Sequence, residues 1–235
     1  MKKESKKTLK IISGIIIFCT LPSILLFGFF YFKYNEKLPE GNAGAEADNI
    51  ALKMLQSLDY TAFKTTPNLE WTFKKRRHYE LNKKDSVCTV YWGANKVVLD
   101  LKDINHSKVY IHSFKNESDM AKDLIEKAFN YFANDAFWVL APYMVFDKGT
   151  IRKTVSTLNS GRNLLVTYKT GDSFLWLLDE NFKPKSFKMW TSQLPIDGLE
   201  ASWTDWTTTE TGVQLPTFHK FLFFGMEITD IKSSY

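Results

Sequence analysis

Five consecutive apolar residues, Phe174-Leu175-Trp176-Leu177-Leu178, stand between Ser173 and Asp179, and they constrain the fold more than any other stretch. Such a run between polar breakers reads as a strand, and successive strand side chains point to opposite faces. Phe174, Trp176 and Leu178 then share one face, and Leu175 and Leu177 the other. Neither face tolerates water. The neighbouring runs Asn163 to Lys169, Ser186 to Thr191 and Leu199 to Trp206 are rich in β-branched, aromatic and aliphatic residues between Gly, Pro, Asn and Asp. Together with Ser173 to Asp179 they predict an antiparallel meander.

The same spacing recurs upstream. Strands are expected at Leu69 to Phe73, Arg77 to Leu81, Ser86 to Trp92, Lys96 to Leu101 and Lys108 to Phe114, with hairpin-sized gaps between them. Thr150 to Leu158, Val213 to Phe218 and His219 to Ile228 complete the set. Two helices are expected. Glu46 to Leu58 places Ala47, Ile50, Ala51, Met54, Leu55 and Leu58 on one stripe. A second helix, capped by Asn116 or Ser118, runs from Asp119 to about Phe132. Beyond Asn134-Asp135 a further helical turn, Phe137 to Ala141, is expected to stop at Pro142 and form a hinge.

About ten or eleven strands against two helices set a covering problem. At about 4.8 Å per strand a flat sheet would be near 50 Å wide, and one helix covers a band of about 10 Å. Sheets of that width curl or split. The expected fold is mainly β with α: a strongly curved antiparallel sheet or incomplete barrel closed by two helices. Such a barrel is packed solid or holds one ligand; the sequence is compatible with both.

The first forty residues indicate a membrane. Lys2, Lys3, Lys6, Lys7 and Lys10 precede a charge-free run from Ile11 to Phe32, 22 residues long. At 1.5 Å per residue it spans about 33 Å, enough for a bilayer. Only Lys33 and Lys37 follow, so the positive-inside rule puts the N-terminus in the cytoplasm and the remainder across the cytoplasmic membrane, on the periplasmic side. Three readings compete. An uncleaved signal anchor fits the length of the run. Cleavage at the small-x-small site Ala43-Gly44-Ala45 is disfavoured by its distance from that run, and a lipoprotein signal at Cys19 by bulky Phe18. The organisation expected is a tail (1–10), a transmembrane anchor (11–32), a flexible linker (33–45) and one extracytoplasmic domain (46–235).

Charge and motifs exclude more than they assign. Of 31 Lys+Arg and 26 Asp+Glu, residues 1–45 hold 7 and 3. The remaining 24 against 23 leave the domain near neutral, without the basic excess of a nucleic-acid surface. Two cysteines supply no disulfide framework, and Cys88 reads as a small core residue. HExxH, paired CxxC, GxSxG and GxxxxGK[ST] are absent from the sequence, so no metal or cofactor is implied. His78 and Glu80 share one strand face, and His219 starts a strand; only these suggest a hydrolytic centre. The aromatics suggest binding instead. Phe137, Trp138 and Met144 beside Pro142, with Trp176, Trp190 and Trp203 on strands, are candidates to line an apolar pocket. Core packing is the competing account of every one of them.

A wider pattern accompanies these residues. Phe132, Asn134-Asp135, Phe137-Trp138, Ala141-Pro142, Phe146-Asp147 and Gly149-Thr150 are followed by Trp176-Leu177-Leu178-Asp179, Pro184, Trp190, Gly198-Leu199-Glu200, Trp203 and Asp205-Trp206. With Trp71-Thr72-Phe73 and Leu215-Pro216 with His219, it resembles a family of uncharacterised bacterial envelope proteins over roughly residues 46–231. The resemblance implies the fold of the lipoprotein-localisation carriers (LolA/LolB-like), a curved sheet closed by helices around an apolar cavity. It implies a lipid, a lipoprotein acyl chain or another apolar ligand, bound without catalysis. The anchor departs from the soluble carriers and favours a tethered role. The alternatives are an envelope scaffold or sensor with a packed barrel and a protein partner, which a filled interior would favour, and a hydrolase around His78/Glu80 or His219.

Overall fold

The computed structural model describes residues 2–155 and 162–235. Helix α1 (Lys2–Tyr34) leads to strand β1 (Asn42–Ala43), α2 (Ala45–Ser57), α3 (Tyr60–Thr65), β2 (Asn68–Phe73), β3 (Arg77–Asn82), β4 (Val87–Trp92), β5 (Asn95–Asp100), β6 (Lys108–Ile111) and β7 (Phe114–Asn116). There follow α4 (Met120–Leu140), β8 (Ile151–Thr154), β9 (Asn163–Thr167), β10 (Ser173–Leu178), β11 (Pro184–Trp190), β12 (Leu199–Ser202), β13 (Thr204–Thr208), β14 (Gln214–Phe221) and β15 (Phe224–Ser234).

All described strands form one antiparallel sheet in the order β1-β8-β9-β10-β11-β12-β14-β15-β2-β3-β4-β5-β6-β7, with β13 also on β14. The end strands β1 and β7 do not pair, so the sheet is not closed. The last strand joins the halves: β15 lies on β2 with Ile228 opposite Phe73 and Ser233 opposite Leu69, across a bulge. Asp230 stands in that bulge at φ 52, a left-handed position that Asp tolerates.

One face of the sheet carries the core. Period-two alternation turns Leu69, Trp71 and Phe73 of β2, Tyr79 and Leu81 of β3, and Phe174, Trp176 and Leu178 of β10 into a single buried cluster. Helix α2 adds Ala47, Ile50, Ala51, Met54 and Leu55 to it, and α4 adds Ala128, Ala136, Val139 and Leu140. Each fully buried large side chain is worth about 1.5–3 kcal/mol. Strands and helices therefore stand or fall together.

Five expectations need correction. The described strands number 15, because two expected strands are each split in two and Asn42–Ala43 forms a short strand that was not expected. Lys108 to Phe114 turns back at His112 and Ser113, both at positive φ, and Leu199 to Trp206 is interrupted at Trp203. Conversely, no break falls at His219; β14 runs through it, and the hairpin turns at Leu222-Phe223. The linker is not free either. Asn42 and Ala43 pair with Thr154 and Lys153, so the small-x-small site begins in the sheet at Ala43 and ends at Ala45, the first residue of α2. Of the expected strand Thr150 to Leu158, residues 156–158 lie outside the described residues.

The last correction is α4, which runs unbroken from Met120 to Leu140 through Asn134-Asp135 and on into a 3-10 turn, Ala141–Met144. The expected interruption at Asn134-Asp135 is absent, while the α-helix ends at Leu140, two residues before Pro142, as expected. Pro142 has no N–H for the carbonyl four residues back, that of Trp138. His219 Nε2 lies 2.7 Å from that oxygen instead, so a tertiary contact replaces the bond that proline removes. Helix α3 escapes sequence reading because it is 6 residues long; the Asp59 side chain caps it by accepting from the Ala62 N–H at 3.1 Å.

Candidate functional site

Between α4 and strands β10 to β12 the buried aromatics meet. Trp176 packs on Phe187 at 5.1 Å and on Trp203 at 5.0 Å between ring centroids. Phe137 reaches Phe174 at 4.6 Å, and Trp138 reaches Phe187 at 5.5 Å. Met144 is half-buried against the main core. Four of the six expected pocket residues, Phe137, Trp138, Trp176 and Trp203, thus converge, joined by Phe174, Phe187 and His219. Alternation along β11 is the signal for Phe187, which shares the inner face with Met189.

Trp190 is the exception. It lies an odd number of positions from Phe187 and therefore faces outward, into a separate cluster with Val155, Leu165, Leu175 and the half-buried Leu177. This is the second apolar face of β10. Its cover comes from the segment following α1. Trp190 Nε1 donates to the Glu36 carbonyl at 2.8 Å, the Glu36 N–H donates to Asp197 O at 3.0 Å, and Lys188 pairs with the Glu36 carboxylate at 2.7 Å. Gly198, at φ 76, allows the approach: a Cβ there would stand 2.7 Å from Glu36 Cβ.

Among the described residues one carboxylate lies in the interior. Asp135 of α4 is fully buried and accepts from Arg77 Nε at 2.5 Å, Arg77 Nη2 at 3.1 Å, Tyr79 Oη at 2.5 Å and Asn134 Nδ2 at 2.8 Å. Burial and then the Asp135 charge hold the Tyr79 phenol far above its ordinary range. Burial disfavours the Arg77 cation, but the bond and charge of Asp135 outweigh it and leave the guanidinium more basic than usual. This cluster ties the middle of α4 to β3.

The same interior holds polar atoms with no protein partner. The indole N–H groups of Trp71, Trp176 and Trp203 are buried and have no hydrogen-bond partner within the protein. Leaving a buried donor unmade costs about 1–3 kcal/mol. Phenylalanine would avoid that cost at every one of these positions.

Histidine chemistry is dispersed. His78 on β3 bonds Thr72 Oγ1 at 2.8 Å, and Glu80 accepts from Tyr91 Oη at 2.9 Å, both on the face opposite Tyr79. His219 is inside, with Trp203 at 4.5 Å and Trp138 at 5.3 Å. Its Nδ1 lies 2.9 Å from Ser202 O and its Nε2 2.7 Å from Trp138 O. Burial pushes the imidazole down to about 4, against the two carbonyls, which favour its charged form. Cys88 is buried on β4, and burial pushes its thiol up, away from the thiolate. Among the described residues no three His, Cys, Asp or Glu side chains are grouped to hold a metal. Two open depressions, about 560 and 270 Å3, lie at the β4–β6 turns and along β2–β4; none of the six expected pocket residues lines either.

Helix α1 is long and apolar enough over Lys10–Tyr34 to cross a membrane, and none of that stretch is buried within the protein. The protein is thus an open, helix-covered antiparallel sheet with an N-terminal apolar helix. A scan against protein-family models and a search of curated proteins return no match to this chain.

Proposed function

We propose that the chain is a tethered, non-catalytic binding domain for an apolar molecule bearing a carbonyl or similar acceptor, such as a lipid or a lipoprotein acyl chain. In this reading α1 is a retained anchor with its lysine-rich end in the cytoplasm, and the sheet stands on the other side of that membrane. An open sheet, an apolar interior and a covering helix support reading the fold as that of a LolA/LolB-like carrier. The observation that carries the proposal is the three partnerless indole N–H groups. At about 1–3 kcal/mol each they are a sizeable share of a domain stability of about 5–15 kcal/mol. A core under selection for packing alone has a cheaper solution, whereas a guest with an ester or amide carbonyl would satisfy them. Space for that guest opens if α4 moves off β10 to β12, with the Asp135 cluster as its pivot.

A second reading, a scaffold that binds a protein partner, is favoured by the close mutual packing of Phe137, Trp138, Trp176, Phe187 and Trp203. Native mass spectrometry of the full chain, extracted in a mild non-ionic detergent, separates the two. Carriage predicts one lipid per chain that survives detergent removal and disappears in Trp176→Phe/Trp203→Phe. A chain that emerges empty, and stays empty when offered phospholipid or acylated peptide, would leave the scaffold.

A further inference from the structure

The hairpin between β14 and β15 is built from residues a water-facing turn avoids. Phe221 pairs with Phe224, so the two turn residues are Leu222 and Phe223. Leu222 takes φ 53, a left-handed conformation that strains a Cβ-bearing residue and that Asn or Gly would adopt more easily. The exposed side chains at this tip are apolar: Phe223 is 66% and Phe224 56% exposed, and their rings touch at 4.2 Å. Phe223 also meets Phe30 of α1, at 6.1 Å between centroids, and Phe30 stacks on Tyr34 at 5.8 Å. Phe30 stands two residues before the end of the charge-free run, roughly 3 Å along the helix axis.

From this juxtaposition we infer that the β14–β15 tip is a second membrane contact, with Phe223 and Phe224 entering the outer leaflet beside α1. The inference rests on the reading of α1 as a retained anchor. If Phe30 lies at the lipid interface, Phe223 lies there too, because the two rings are neighbours. Aromatic rings favour that depth, and the strained Leu-Phe turn presents them to it. Lys220, exposed at the base of the tip, remains on the aqueous side. Two attachment points fix how the domain sits on the bilayer, where one helix alone would leave it free to rotate.

The test uses the full chain with Cys19→Ser, in nanodiscs of phosphatidylcholine and phosphatidylglycerol. Nitroxide probes are attached at Phe223→Cys or Phe224→Cys, with Ile24→Cys as the membrane reference and Thr170→Cys, in the exposed β9–β10 turn, as the water reference. The expected result is an oxygen-to-nickel collision ratio several-fold higher at 223 and 224 than at 170, approaching that at 24. Water-like ratios at 223 and 224 beside a lipid-like ratio at 24 overturn the inference and leave the anchor standing. A water-like ratio at 24 overturns the anchor, and the inference with it. Probes at 223 and 224 shielded from both reagents would mean that protein, not lipid, covers the tip, which also overturns it.

Discussion

Strands β10 to β12 bury tryptophan on both faces, and the two faces use it differently. Inside, Trp176 and Trp203 are surrounded by rings, and their N–H groups have no partner. Outside, Trp190 belongs to a small cluster and donates to the Glu36 carbonyl. On the inner face the rings pack against one another, whereas the outer face is covered by the residues that join α1 to the domain. A strand apolar on both faces therefore does not require a closed barrel. Here its second face is covered by the segment that follows the protein's own N-terminal apolar helix.

The largest expected effect probes the inner face. Asp135→Ala leaves Arg77 without its buried counter-ion and should cost about 3–5 kcal/mol, read from the midpoint of denaturant unfolding. A loss below 1 kcal/mol would show that α4 is held by apolar contacts alone. Acid should act on the same face through His219. Its folded pKa, about 4, lies below the unfolded value of about 6.5, so between those limits the unfolded chain binds the proton that the folded one refuses. Stability should therefore fall by roughly 3 kcal/mol as pH drops from about 6.5 to 4, and His219→Gln should flatten that window.

On the outer face, Gly198→Ala should cost about 1–2 kcal/mol for the left-handed backbone and should loosen residues 35–37. Increased hydrogen exchange at the Glu36 amide checks this, and an unchanged amide would mean that the linker is held elsewhere. The smallest effect sharpens the comparison most. Trp190→Phe removes a made hydrogen bond and should cost about 0.5–1.5 kcal/mol beyond its lost packing, while Trp203→Phe removes a donor without a protein partner and should cost its lost packing alone. Equal losses at both positions would erase the distinction between the faces.

Much of the β-structure was legible, because breakers such as Gly93-Ala94-Asn95 bound runs of clear alternation. The convergence of Trp176 with Trp203 and α4 followed from the excess of strands over helices. Trp190 could have been set apart by counting from Phe187, since the period-two signal was in the sequence. Two features were out of reach. Asp135 meets Arg77 across 58 positions, and His219 meets the Trp138 carbonyl across 81; no local pattern encodes such partners. The docked linker was hidden for another reason. Leu38 to Ala45 has the composition of a flexible tether, and its order comes from β8 and the Glu36 contacts.

The central claim is that residues 35–43 belong to the fold, and the proposed retention of α1 rests on it. The most direct test is the intact mass of the chain recovered from the membrane and soluble fractions of producing cells. The account predicts the uncleaved chain in the membrane fraction. A chain beginning at Glu46 in the soluble fraction, stably folded and retaining a buried Trp190, would contradict it.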